Sequence, residues 1–281
     1  MKLTLPRPWM REMFGEIVGT FLVVFIGNCS VAQSVLSGTS AGTFMSINIT
    51  YALAVSIAIL VAGGLSGAHV NPAVTVALAV LLKFPRGKVA HYLLAQYLGG
   101  FIAAPCTYLM YHDALANFDG GNRTVVGEHA TAGIWATYPQ DFLSLQGAFL
   151  DQVLGTGVLM LVVCAVGDQK NMQVHRSLHA LYVGLTVLAL GAGLGYNCGY
   201  PLNPARDLSP RLFLVMAGWG SEAFVYKNYW WVPIVGPHVG AILGCGLYSL
   251  FEAQFLETEH TFEHELTEAS EGKKLNVPAH E

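Results

Sequence analysis

Hydrophobic positions along this chain fall into long unbroken runs, without the alternation of a half-buried sheet or the narrow stripe of a surface helix. A helix that crosses a bilayer needs roughly 20 mostly apolar residues. Six runs meet that length: 13–33, 44–63, 90–111, 147–167, 178–197 and 230–252. Two more, 71–82 and 203–216, are apolar but too short to cross. Runs of roughly 10–14 residues suit re-entrant segments that enter and leave on one side.

The two short runs begin alike. The first is approached through Gly64-Leu65-Ser66-Gly67-Ala68-His69-Val70 and opens on Asn71-Pro72-Ala73. The second is approached through Gly195-Tyr196-Asn197-Cys198-Gly199-Tyr200-Pro201-Leu202 and opens on Asn203-Pro204-Ala205-Arg206-Asp207. Asn at an N-cap followed by Pro at the first helical position is a strong helix-start signal. Each half therefore carries three spans, with a short helix between the second and third. An odd number of crossings inverts the second half (about 147–255) relative to the first (about 10–112). The pattern predicts an all-α membrane protein: six transmembrane helices plus two re-entrant half-helices, built as an inverted repeat. Such repeats place their site near the bilayer midplane, at the interface of the halves.

Composition agrees. Of 281 residues 53% are hydrophobic and only 11% charged, against about 25% charged in soluble domains; the mean hydropathy is +0.49. The formal charge of −4 reflects the C-terminus, where eight of the 18 acidic residues occupy the last 30 positions. The remaining body, with 10 acidic and 12 basic residues, has no field that favours nucleic acid. Residues 1–255 read as one transmembrane domain and 256–281 as a disordered acidic tail. Within that tail, His260-Thr261-Phe262-Glu263-His264 matches a zinc-peptidase pattern. A tail offers neither a third ligand nor a cleft, so no resident metal, cofactor or enzymatic activity is expected. The five cysteines are odd in number and lie in or beside apolar runs, as buried free thiols do.

Basic residues cluster before span one (Lys2, Arg7, Arg11), between spans two and three (Lys83, Arg86, Lys88), between four and five (Lys170, Arg176), and after six (Lys273, Lys274). The positive-inside rule puts these segments, and both termini, in the cytoplasm. The longest outer connection, 112–146, contains the glycosylation acceptor pattern Asn122-Arg123-Thr124.

Inversion turns the two helix starts toward one another. Each helix N-terminus carries about half a positive charge, which opposes cations and protons at the meeting point. The Asn71 and Asn203 amides offer donors to whatever passes. Arg206 adds a fork of donors that cannot be neutralised, in a region otherwise short of charge; pairing with Asp207 is its structural alternative. His69, two residues before Asn71, is either a packing residue or, with Glu16, one half of a proton-sensitive contact. Cys198 either faces the outer vestibule, where mercurials would reach it, or is a buried thiol.

These residues resemble the major intrinsic protein (aquaporin) family over about residues 10–255. Asp207 after Arg206, the long outer loop, Gly218-Trp219-Gly220 and Trp230-Trp231-Val232-Pro233 resemble its glycerol-conducting branch, the aquaglyceroporins. The resemblance implies a right-handed bundle, a homotetramer with one pore per subunit, and a plasma-membrane channel passing glycerol, water and small neutral solutes such as urea. Membrane lipid would be its other partner. It implies an outer selectivity filter of Arg206 with Tyr51, Gly191 and Tyr200, positions that match by spacing to the motifs. Where water-selective members place a His, Gly191 would leave a wider opening. The two Tyr hydroxyls would add polar contacts or narrow the pore. Glu16 resembles a buried Glu that orients the loop before the first short helix, and its repeat mate here is the uncharged Gln152. A water-selective channel of the same family and an alternating-access polyol transporter are the rival readings.

Overall fold

The structure is a computed structural model that describes residues 5–82 and 84–254. All regular elements among these residues are helical. In chain order they are α1 (Pro8–Leu36), α2 (Phe44–Ser66), α3 (Pro72–Leu81), α4 (Val89–Asp119), α5 (Leu145–Gly167), α6 (His179–Leu194), α7 (Pro204–Met216), the single turn α8 (Glu222–Val225) and α9 (Val232–Leu275). Side chains of α9 are described as far as Gln254, so the tail expected over 256–281 lies outside the described residues. Among the described residues six helices are long and apolar enough to cross a membrane.

The packing carries the inverted repeat. In the first half α1 packs on α2 and α4; in the second, α5 packs on α6 and α9. The halves meet along α2 and α6, and each short helix packs against the last span of the opposite half, α3 on α9 and α7 on α4. Without a hydrophobic drive between helices in lipid, close approach must come from small residues. A Cβ on Gly99 of α4 would run into the Ile17 carbonyl of α1, and one on Gly240 of α9 into the Val153 carbonyl of α5. Ile17 and Val153 follow directly after Glu16 and Gln152, so the same crossing is built twice. Leucines such as Leu60 and Leu109 stay exposed on the outside of the bundle.

The third span differs from its expected end at 111. With no Gly to stop it, α4 continues to Asp119, where Gly120 closes it in a left-handed conformation (φ 61°). At about 1.5 Å per residue it is roughly 46 Å long, well beyond the ~30 Å hydrocarbon core. Its extension buries Leu115 in a cluster with Ile134, Trp135, Leu214 and Trp219. The outer connection is thus folded down onto the bundle: Trp135 is fully buried and its indole N–H donates to the Ala104 carbonyl of α4 (3.1 Å).

Candidate functional site

The two short helices meet as a matched pair. Asn71 caps α3 by accepting from the Ala73 N–H (2.9 Å), and Asn203 caps α7 by accepting from the Ala205 and Arg206 N–H groups (3.0 and 3.3 Å). The amide nitrogens then cross over. Asn71 Nδ2 donates to the Leu202 carbonyl (2.9 Å) and Asn203 Nδ2 donates to the Val70 carbonyl (2.7 Å). A carboxamide NH₂ has two hydrogens, so each asparagine keeps one donor beyond the crossed pair. Pro72 and Pro204 open the helices, where their missing N–H costs nothing, and Ala73 and Ala205 pack fully buried behind them.

The approach loops share an unusual backbone. Gly67, Ala68 and Val70 have φ of 86°, 52° and 44°; Gly199, Tyr200 and Leu202 have φ of 76°, 39° and 50°. These occupy the same offsets before Asn71 and Asn203. Left-handed conformations at non-Gly residues cost about 1–3 kcal/mol each and persist only where surroundings over-determine them. Glu16 supplies that constraint in the first half. Its Oε1 accepts from the Ser66 hydroxyl (2.6 Å) and the His69 N–H (2.9 Å), and its Oε2 from the Val70 N–H (2.7 Å) and Gln96 Nε2 (2.7 Å). Gln152 does less in the second half: its Oε1 accepts from the Leu202 N–H (3.1 Å), while its Nε2 donates to Asp151 Oδ1 (2.9 Å).

One cavity of about 960 Å³ takes in both loops. Arg176, Ser177 and His179 line one end, Tyr138, Gln140 and Tyr196 the other, and Asn71 and Asn203 its middle. Tyr51, Tyr200 and Arg206 stand together on its wall. The Arg206 guanidinium lies 5.1 Å from the Tyr51 ring centre, a cation–π distance, and the two Tyr rings meet edge to face at 6.3 Å.

Arg206 does not pair with Asp207. Its Nη1 donates to the Trp135 carbonyl (3.0 Å), and among the described residues it has no carboxylate partner. Asp207 instead binds Arg211 (2.7 Å) and accepts from the Thr137 N–H and hydroxyl (2.7 and 2.6 Å). Arg211 returns to the Thr137 carbonyl (2.6 Å). Outer-loop residues 135–137 therefore hold Arg206 with one carbonyl and Asp207 with the next turn of chain. Sequence reasoning missed the roles of Trp135, Thr137 and Arg211; the single Trp within 112–146 was the available signal.

The structure corrects one expectation and decides two alternatives left open by the sequence. Gly191 is not on the cavity wall, and the space it leaves is filled: a Cβ there would sit 2.7 Å from Tyr200 Cζ. Its small size seats the Tyr200 ring instead of emptying the pore. The Gly191→Ala variant is accordingly expected to push that ring inward and lower glycerol flux several-fold more than water flux, in side-by-side light-scattering assays. The His69 ring does not touch Glu16. Only its backbone N–H does, while Nδ1 meets Thr75 Oγ1 (3.1 Å) and the ring packs on Phe84 and Tyr92. Cys198 is buried against Ala148, Tyr229 and Val232, away from the cavity, because Gln152 and Asp151 hold its thiol. Asn122 is exposed in the outer connection.

The model of the major intrinsic protein family matches residues 5–248. The chain belongs to the major intrinsic protein family. Aquaporin-10 of Homo sapiens is 48% identical over 244 residues, covering 86% of this chain and 81% of that one. Aquaporin-9 of Homo sapiens is 43% identical over 274 residues, covering 97% and 92%. The solved aquaglyceroporin from Plasmodium falciparum superposes with a TM-score of 0.78 at 34% identity, covering 85% of this chain and 95% of that one. As a major intrinsic protein the chain is an integral multi-pass membrane protein and a channel, not an enzyme.

Proposed function

We propose that this channel passes glycerol, water and other small neutral solutes such as urea, and holds back protons and ions. The observation that carries this reading is the stretch of cavity wall formed by Arg206, Tyr51 and Tyr200. There Arg206 offers unshared N–H donors beside the Tyr51 ring, which the Tyr200 ring meets edge to face. A polyol has hydroxyls along one edge and C–H groups along the other, and this wall offers donors on one side and apolar faces on the other. Asn71 and Asn203 would take over the hydroxyls at the middle, where two helix N-termini repel cations. Similarity to proteins named aquaglyceroporin supports glycerol over water alone.

In this reading Glu16 and Gln152 shape the two loops, Asp207 steadies the outer one, and His69 lines the inner mouth. The working form is a homotetramer in lipid, placed in the plasma membrane with both termini cytoplasmic and Asn122 open to glycosylation outside. Nucleic acid has no part. Proteoliposomes in stopped-flow light scattering test the reading, with water, glycerol and urea gradients compared. Glycerol flux linear in concentration and indifferent to sodium and pH gradients is expected. Water flux without glycerol flux would favour a water-selective channel, and saturating, ion-driven flux a transporter.

A further inference from the structure

Each tyrosine of the constriction has an asparagine behind it. The Tyr51 hydroxyl donates to Asn28 Oδ1 (3.1 Å), so that phenol is committed away from the pore. Tyr200 and Asn48 pack against the same glycine, Gly191, but no such bond is closed there. The Tyr200 hydroxyl and both polar atoms of the Asn48 amide are buried with no hydrogen-bond partner among the described residues. Asn48 is fully buried and Tyr200 only 7% exposed. The two converge on one spot: the point where a Cβ on Gly191 would begin lies 2.8 Å from Asn48 Oδ1 and 2.9 Å from the Tyr200 hydroxyl. Asn48 is not on the cavity wall, so its amide does not meet solutes directly. Nor is it needed to fasten α2 to α6, because the Ser56 hydroxyl donates to the Ala180 carbonyl of α6 (2.9 Å) one crossing further in.

A buried donor and a buried acceptor left unpaired, both packed against Gly191 and cut off from water, each carry a desolvation penalty that pairing with one another relieves. We propose that Asn48 is the positioning residue of the outer constriction: its amide tethers the Tyr200 hydroxyl behind the wall, sets how far that ring reaches into the pore, and so sets how the channel divides glycerol from water. This rests on the reading of Arg206, Tyr51 and Tyr200 as the selectivity filter.

The test is a double-mutant cycle on the full-length channel in proteoliposomes, with Asn48→Leu, Tyr200→Phe and both together. Each single change releases the ring, and the ratio of glycerol to water permeability falls roughly twofold to tenfold, the range one net hydrogen bond spans. The double variant falls no further than either single one, because the two share one interaction. Asn48→Ala, which only removes atoms, gives the same measurement should the leucine variant not assemble. An unchanged ratio in the Asn48 variants, or additive effects in the double, overturns the proposal. Tyr200→Ala separates the two levels. If it leaves the ratio at the wild-type value, the filter reading itself fails; if it shifts the ratio while Asn48 variants do not, only the tether fails.

Discussion

Replacing Glu16 with leucine is expected to cost the channel its fold. The carboxylate is fully buried and accepts four hydrogen bonds, two from the backbone of the loop that leads into α3. Leucine fills the volume but leaves the Ser66 hydroxyl, the His69 and Val70 N–H groups and the Gln96 amide without that acceptor. A buried donor stripped of its partner costs about 1–3 kcal/mol. Four of them at the low end remove roughly 4 kcal/mol from a total stability of about 5–15 kcal/mol. The loop also loses what holds Ala68 and Val70 in left-handed backbone. Thermal melting in detergent, followed by intrinsic fluorescence, should show a large downward shift or no folded peak, with no flux in liposomes. Glu16→Gln keeps one acceptor oxygen and turns the other position into a donor facing donors, so an intermediate loss is expected. A leucine variant that melts within a degree or two of the wild type would refute this account of the loop.

The asymmetry between Glu16 and Gln152 follows from what surrounds them. Gln152 faces one loop N–H, from Leu202, and a carboxylate at Asp151. An amide answers both, since it accepts at one end and donates at the other. A second carboxylate there would oppose Asp151. Glu16 meets only donors, which a carboxylate satisfies and an amide does not.

Much of this architecture was legible in the sequence because the signals were local. Run length in a bilayer separates a span from a half-span, and Asn-Pro marks a helix start wherever it occurs, so α3 and α7 fell where 71–82 and 203–216 placed them. What escaped the sequence depended on residues far apart in the chain. α4 runs on past 111 because Leu115 joins the cluster of Trp135 and Trp219, and it stops only at Gly120. Asp207 had two arginines within reach, one at its side and one a helical turn on. The i,i+4 geometry with Arg211 won, because the outer loop brought the Trp135 carbonyl to Arg206 and Thr137 to Asp207. Gly191 read as an opening because its own size is visible in the sequence while the neighbour that fills the space, Tyr200, is not.

Arg206→Ala is expected to open a proton leak. At an effective dielectric of about 20, a fixed charge repels a hydronium about 5 Å away by about 3 kcal/mol, and each 1.4 kcal/mol is tenfold in rate. Losing the guanidinium should therefore raise proton entry by roughly a hundredfold, read with a pH-sensitive dye inside proteoliposomes. The substitution also leaves the Trp135 carbonyl without its donor, an oxygen that would then favour a passing cation. Water flux should persist, since Asn71 and Asn203 hold the centre independently through their crossed amides. Arg206→Lys divides charge from shape. The ammonium keeps the repulsion but lacks the planar fork and the broad face that lies over Tyr51. Proton exclusion should thus survive in the lysine variant while the ratio of glycerol to water permeability changes. A leak equal to the wild type in Arg206→Ala, with glycerol flux intact, would move the proton barrier wholly onto the two helix ends.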